Sequence, residues 1–211
     1  MKHSFIKQHF PLHLSWARLV SDVISPPAVW AVMVVPVALK YSSDPLTGLM
    51  WAALYGFFVS LIPVLFIMRM VAIGKIGDVH MKERRERFIP FLVTLFSTLI
   101  VLGLLRYLHA PPAFGIITLI SFVQIAITSL ITLAWQISMH MMSISAAAVA
   151  VGIIFGISTG FAIIPLVMLV GAARLQLKRH TPAQVIAGTI LGAAAPVLLL
   201  VFLPDYMTWV I

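Results

Sequence analysis

The sequence contains no cysteine, and charged residues are scarce. Without cysteine, disulfide bonds and cysteine-ligated zinc or iron–sulfur centres are excluded. Asp, Glu, Lys and Arg make up only 9% of the 211 residues, whereas a soluble domain carries roughly 25%. So few charges cannot cover a water-facing surface, and 62% of the residues are hydrophobic. The composition therefore predicts an all-α fold, a polytopic transmembrane helical bundle.

Seven apolar segments are candidates for membrane-spanning helices, each of which needs about 20 residues. They are Ala28 to Leu39, Leu46 to Met68, Phe88 to Leu105, Phe114 to Ile137, Met141 to Ile157, Phe161 to Ala173 and Val185 to Leu203. The first and the sixth are short, so the sequence predicts six or seven spans. Residues 1–27 mix charged and apolar side chains, which predicts an amphipathic, interfacial segment before a single transmembrane domain over residues 28–211.

Lysine and arginine are distributed unevenly among the connections between these segments. With the N-terminus inside and seven crossings, 12 lie on the cytoplasmic side and only Lys40 and Arg106 lie outside. The 12 are Lys2, Lys7, Arg18, Arg69, Lys75, Lys82, Arg84, Arg85, Arg87, Arg174, Lys178 and Arg179. Cytoplasmic loops are enriched in these residues. The net charge of +8 is therefore attributed to membrane topology, and no nucleic-acid partner is predicted.

Glycines at four-residue spacing occur near the C-terminal end, at Gly152, Gly156 and Gly160 and again at Gly188 and Gly192. This spacing lets transmembrane helices approach each other closely. We predict a packing role for them and no chemistry.

Three polar clusters interrupt the apolar segments. The first is the loop KIGDVHMKERRERFIP, Lys75 to Pro90, in which Arg84 and Arg87 are three residues apart and can converge on one anion if the turn is helical. A basic cytoplasmic loop also explains these arginines without any ligand. Asp78, Glu83 and Glu86 in the same loop could pair with them.

The second and third clusters each contain a histidine. Ser138, Met139 and His140 end the fourth segment, and Arg174 to Gln184, reading RLQLKRHTPAQ, joins the last two. An ionisable residue beside a membrane helix is a functional candidate, although a hydrogen-bonded structural histidine is commoner. Gln184 follows His180 by one helical turn, so its carbonyl can accept the imidazole proton and fix the tautomer.

An even number of crossings separates each cluster from the next. Two spans lie between the first and second clusters, and two more lie between the second and third. All three clusters should therefore reach the same side of the membrane and can share one site.

The third cluster resembles the third motif of the type 2 phosphatidic acid phosphatase superfamily. In this sequence Arg174, five residues, His180, three residues and Gln184 stand where the family has Arg, five residues, His, three residues and Asp. Ser138, Met139 and His140 resemble its second motif, Pro, Ser, Gly, His. The resemblance covers about residues 84–192, and ERRERFIP, WQISMH and RHTPAQVIAG are similar to a bacterial branch that has Gln in place of Asp.

The resemblance implies a phosphatase of lipid phosphates or polyprenyl (di)phosphates in the bacterial cytoplasmic membrane, without a metal ion or other cofactor. His180 would be the nucleophile that forms a phosphohistidine, and His140 would be the general acid. Arg174 and Ser138 would contact phosphate, and Arg84 and Arg87 would stand for the basic residues of the first motif. Gln184 would orient His180.

Three departures from the family pattern support a different class of function. Gln184 replaces the Asp, Met139 replaces the Gly, and the first motif is not matched. The alternative is a catalytically weak or inactive lipid-binding subunit of a larger membrane complex, and a homo-oligomer is compatible with both functions. A transporter and a pigment- or haem-binding protein with His140 or His180 as ligand are further alternatives.

Overall fold

The computed structural model describes residues 15–79, 81 and 83–202, and all regular elements in these residues are helices. The α-helices are α1 Trp16–Val23, α2 Pro26–Tyr41, α3 Pro45–Gly56, α4 Ile62–Ala72, α5 Phe88–Tyr107, α6 Pro112–Thr132, α7 Met139–Phe155, α8 Ile157–Ala162, α9 Ile164–Gln176 and α10 Pro182–Phe202. A π-helical turn, Phe57–Leu61, joins α3 to α4, and a 3₁₀ turn, Arg84–Arg87, leads into α5.

Five helices are long and apolar enough to cross a membrane. They are Pro45–Ala72, Arg84–Tyr107, Pro112–Thr132, Ile157–Gln176 and Pro182–Leu199. The pair α1 and α2, bent by 53°, gives a sixth if it forms one span, and α7 is a shorter apolar helix of 17 residues. The predicted all-helical, multi-spanning fold is confirmed at this level, and the number of spans stays a prediction.

The predicted end of the fourth segment differs from the end of the helix. The fourth segment was expected to extend to Ile137, but α6 ends at Thr132, and Ile137 is buried in the following irregular segment. Hydropathy cannot place this end, because a buried loop residue is as apolar as a helical one. The Ser138 side chain, which accepts from the Met141 N–H, starts a new helix. Leu203 and residues 1–14 of the predicted interfacial segment lie outside the described residues.

Small residues hold α7 against α10, as the glycine spacing predicted. A Cβ atom on Gly188 would lie 2.5 Å from the Ser138 carbonyl oxygen, and one on Gly192 would overlap the backbone of Met142. Gly160 similarly faces Gly152, at 2.8 Å from the Cα atom to its would-be Cβ. The close contact fixes the start of α7, which carries His140, beside the start of α10, which follows His180.

Gly192→Ala is expected to lower the stability of the folded protein in detergent by about 1–3 kcal/mol, the usual cost of overpacking a core. The added methyl group would meet backbone atoms of Met142, which cannot move aside as a flexible side chain can. The midpoint of thermal unfolding measures the effect. Gly103→Ala is the matched control, because no atom lies within 4 Å of its would-be Cβ. Equal midpoints for the two variants would contradict the packing role.

Candidate functional site

The three polar loops lie at one end of the bundle and are joined by hydrogen bonds. The Ser138 N–H donates to the Gln184 carbonyl oxygen at 3.1 Å, which links the second cluster to the third. The Arg179 guanidinium forms an ion pair with Asp78 at 3.1 Å, which links the third to the first. The structure thus places together the loops that the number of crossings predicted to share one face.

Gln184 connects the start of α10 to His180. Its side-chain oxygen lies 3.3 Å from Nδ1 of His180 and accepts from the Thr181 N–H at 3.0 Å, while its own N–H faces the Thr181 hydroxyl at 3.4 Å. The last two contacts form a capping box, which begins the helix. An amide oxygen can only accept, so Nδ1 of His180 carries the proton and Nε2 keeps its lone pair. The contact between Gln184 and His180 that the spacing predicted is present, and it favours this tautomer.

His180 is buried, with 8% of its surface exposed, and it lies among positive charges. Burial, followed by the charges of Arg174 and Arg87, lowers the pKa of His180 from 6.5 to about 4, and Arg179 acts in the same direction. The hydrogen bond to Gln184 opposes this shift. His180 is consequently neutral near pH 7, so Nε2 is available as a nucleophile.

Stability is expected to fall as the pH decreases from about 6.5 to about 4. The unfolded chain protonates His180 near 6.5, whereas the folded chain does so only near 4, so the unfolded state binds more protons in this window. The loss is on the order of 2–3 kcal/mol. Thermal midpoints in detergent across this range should show it in the parent protein and much less in His180→Gln. Parallel pH profiles for the two proteins would contradict the lowered pKa.

Three arginines surround this histidine, and we call Arg87, Arg174 and Arg179 the arginine cluster. Arg174 is 3% exposed, and its Nη1 donates to the Ser21 hydroxyl at 2.5 Å, while its Nε is buried without a hydrogen-bond partner among the residues that the structure describes. Arg87 is 7% exposed and donates from Nε to the Met81 carbonyl oxygen at 2.9 Å. A buried guanidinium nitrogen with no hydrogen-bond partner among the described residues favours an anionic ligand.

The two arginines of the first cluster have different surroundings, which the sequence did not predict. Arg84 is exposed and donates to the Ala134 carbonyl oxygen at 2.5 Å, across from the start of α7. Arg87 is buried and acts electrostatically on both Arg174 and His180. Arg87 therefore belongs to the arginine cluster, whereas Arg84 braces the loop that precedes α7.

The acidic residues near the cluster already have roles. Asp78 pairs with Arg179, and Glu86 accepts from the Gly77 N–H at 2.8 Å, which orders the loop before α5. Asp22 on α1 acts electrostatically on Arg174. The sequence allowed Asp78 to pair with an arginine of its own loop. In the structure Asp78 instead pairs with Arg179 of the third loop.

His140 and Ser138 lie at the start of α7. His140 is 7% exposed, and its Nε2 lies 3.0 Å from the carbonyl oxygen of Ser21 and 3.4 Å from its hydroxyl. A carbonyl oxygen only accepts, so this contact requires a proton on Nε2. Ser138 caps α7 through a lone pair of its hydroxyl, at 3.4 Å from the Met141 nitrogen, which leaves the hydroxyl proton to donate.

Ser21 and Arg179 were not predicted as site residues. Ser21 is 1% exposed and connects α1 to both Arg174 and His140. A signal existed, because Ala17, Val20, Ser21 and Ile24 share the i, i+3, i+4, i+7 spacing of a buried helix face. A serine on such a face indicates a polar partner in the core.

Among the residues that the structure describes, no group of three or more His, Asp or Glu residues is arranged to hold a metal ion. A cavity of about 570 Å³ lies at the far end of α5, beside Arg106 and His109. It is roughly 30 Å from Arg87, the length of a 20-residue helix, and shares no residue with the arginine cluster.

Comparison with known proteins gives no relative for the chain. No family profile, curated protein or solved structure matches it.

Proposed function

We propose that the chain is a membrane-embedded phosphatase of lipid phosphates or polyprenyl (di)phosphates that acts without a metal ion. The observation that carries the proposal is a buried His180 whose Nδ1 is held by Gln184 and whose pKa is lowered by burial and by the charges of three arginines. Phosphoryl transfer needs a positioned nucleophile and several donors around the equatorial oxygens. Guanidinium groups supply such donors without a metal ion.

The proposed reaction has two steps. The lone pair on Nε2 of His180 attacks phosphorus, and the bond from phosphorus to the leaving oxygen breaks. His140, as the imidazolium, gives its Nε2 proton to that oxygen and becomes neutral imidazole. In the second step a water molecule attacks the phosphohistidine, His140 takes its proton, and the phosphorus–nitrogen bond breaks to release phosphate. During both steps the phosphoryl oxygens are held by Arg174, Arg87 and the Ser138 hydroxyl. A general acid typically raises the rate 10²–10⁴-fold.

Gln184 supports the positioning of the nucleophile fully and the stabilisation of the imidazolium only in part. Its oxygen holds the tautomer in which Nε2 is nucleophilic, but an amide does not carry the negative charge that would stabilise an imidazolium. In serine proteases, replacing the corresponding carboxylate by an amide lowers kcat by about 10⁴, chiefly through the wrong tautomer. Since the tautomer is correct here, we expect slow turnover and not complete loss.

The site is proposed to lie at the cytoplasmic interface of a bacterial cytoplasmic membrane. The distribution of lysine and arginine favours this side. At the interface, the acyl or isoprenyl tail remains in lipid while the phosphate reaches the arginine cluster. No soluble partner is needed for such a substrate.

A panel of lipid phosphates tests the proposal. Purified protein in nanodiscs is incubated with lipid monophosphates and polyprenyl mono- and diphosphates, and inorganic phosphate release and lipid binding are both measured. Release from at least one of these substrates supports the enzyme. Binding without any release supports the second candidate, described next.

The second candidate is a lipid-binding or accessory subunit that retains the anion site without turnover. The observation that favours it is the capping box, in which Gln184 has a structural role that needs no catalysis. This candidate predicts that the protein copurifies with a stoichiometric membrane partner. It also predicts that function survives His140→Ala, whereas the phosphatase predicts a loss.

A further inference from the structure

Helix α1 brings Ser21 into the site, and the neighbouring Asp22 acts electrostatically on Arg174. The Ser21 hydroxyl accepts from Arg174 Nη1 at 2.5 Å and lies 3.4 Å from His140 Nε2. The Ser21 carbonyl oxygen accepts from the same nitrogen at 3.0 Å. In the proposed reaction Arg174 binds the phosphate and His140 protonates the leaving oxygen. Both side chains are therefore already hydrogen-bonded to oxygens of Ser21.

The geometry of these contacts matches that of a substrate. A phosphoryl oxygen bound by Arg174 must lie within about 3 Å of a guanidinium nitrogen, which is where the Ser21 hydroxyl lies. A leaving oxygen must likewise accept from His140 Nε2, where the Ser21 carbonyl now accepts. The oxygens of Ser21 and those of a phosphate ester cannot occupy these positions together.

Helix α1 has features that allow it to move away from the site. It has eight residues, and its buried side consists of Ala17 and Ser21, with Val20 and Ile24 packing against α7, α9 and α10. Trp16, Leu19 and Val23 are exposed, so the opposite side is already suited to the membrane interface. A bend of 53° separates α1 from α2. An isolated helix of this length is held by tertiary contacts and not by its own stability.

We propose that Ser21 occupies the substrate position in the free protein and that a phosphate ester binds by displacing α1. This rests on the proposed function, because it assumes that Arg174 and His140 bind the substrate. An anion is the stronger competitor, because an ionised phosphate adds attraction between opposite charges and can bind the guanidinium through two oxygens, whereas the Ser21 hydroxyl offers one neutral acceptor. Helix α1 thus closes the site to water and neutral lipids and opens it to phosphorylated ones.

Because the sequence contains no cysteine, the exposure of α1 can be measured with single cysteine variants. Each single cysteine variant carries one thiol, and its rate of reaction with a water-soluble maleimide reports exposure. Ala17→Cys, with 0% exposure in the parent residue, reports on α1 while leaving Ser21 in place. Inorganic phosphate is the probe, chloride at equal ionic strength is the reference, and phosphate binding is followed separately by ³¹P NMR.

The expected result is a severalfold faster reaction of Ala17→Cys in phosphate, with a midpoint that matches the ³¹P titration. Ser145→Cys on α7, which is also buried, is the matched control and should not respond. Leu19→Cys, exposed on α1, should react rapidly in both solutions. If Ala17→Cys does not fold, Ser21→Cys serves as the reporter.

Two results overturn the inference, and they differ. Phosphate that binds without changing the reaction rate shows that α1 is a fixed part of the site, and the proposed phosphatase survives. Phosphate that does not bind removes the proposed anion site and the inference together. Each outcome of the ³¹P and maleimide measurements therefore decides between these cases.

Kinetics give an independent check. Ser21→Ala removes the hydroxyl that competes for Arg174, so KM for a lipid phosphate is expected to fall severalfold while kcat is retained. A residue that merely positions Arg174 and His140 would behave in the opposite way, with a lower kcat and an unchanged or higher KM. That pattern would overturn the inference.

Discussion

His180→Ala is expected to abolish phosphate release from lipid phosphates, with kcat lowered by at least ~10³-fold, as for removal of a catalytic nucleophile. The imidazole is a neutral, nucleophilic group that Gln184 holds near the arginines. Alanine leaves the capping box of Thr181 and Gln184 in place, so the start of α10 should persist. Phosphate release in nanodiscs and trapping of acid-labile phosphoprotein measure the change.

Two other histidines sharpen this prediction. His140→Ala should lower turnover by about 10²–10⁴-fold with a lipid alkoxide as leaving group, and much less with p-nitrophenyl phosphate, whose leaving group needs no proton. His180→Ala should lose both activities. His109→Ala, at an exposed residue some 30 Å along α5 from the cluster, should retain full activity. Residual turnover in His180→Ala equal to that of His109→Ala would refute the nucleophile.

The arrangement of the site is more predictable from the sequence than its contacts are. Crossings of a membrane alternate sides, so pairs of spans between the polar loops are enough to place the loops at one end. The links from Ser138 to Gln184 and from Asp78 to Arg179 follow that arrangement. Spacing along one helix turn also predicted the contact between His180 and Gln184. Both inferences follow from the positions of the helices, which the pattern of apolar residues predicts.

Contacts between distant elements were not predictable in the same way. Arg84 and Arg87 lie in the same basic loop, and the sequence does not distinguish them. Arg84 is exposed and Arg87 is buried because of the way this loop packs near the end of α6 and the α9–α10 loop. Ser21 is 119 residues from His140 and 153 from Arg174. Its place on the apolar face of α1 indicates burial, but no local pattern identifies its partners.

The arginine cluster has an energetic consequence for the fold. Arg174 is buried, the charges of Arg87 and Arg179 repel it while that of Asp22 attracts it, and its Nε has no hydrogen-bond partner among the described residues. Burying like charges destabilises a protein unless an opposite charge compensates. A group that weakens the fold in the absence of ligand is typical of a functional site.

Arg174→Met is therefore expected to separate stability from binding. Methionine fills a similar volume without a charge, so the thermal midpoint in detergent should stay equal or rise. Phosphate affinity should fall roughly 10- to 100-fold, because a hydrogen bond to a charged group contributes about 1.5–3 kcal/mol. Arg174→Lys should restore only part of it, since an ammonium group lacks the planar fork that binds two oxygens.

Arg69→Met is the matched control for the loss of one positive charge, because Arg69 is exposed at the end of α4 and has no hydrogen bond to the site residues. It should change neither the thermal midpoint nor the ³¹P titration. A large fall in the thermal midpoint of Arg174→Met with unchanged phosphate binding would show that Arg174 acts as a structural anchor for α1 through Ser21. The opposite pattern, with stability retained and binding lost, is the one that a buried anion site requires.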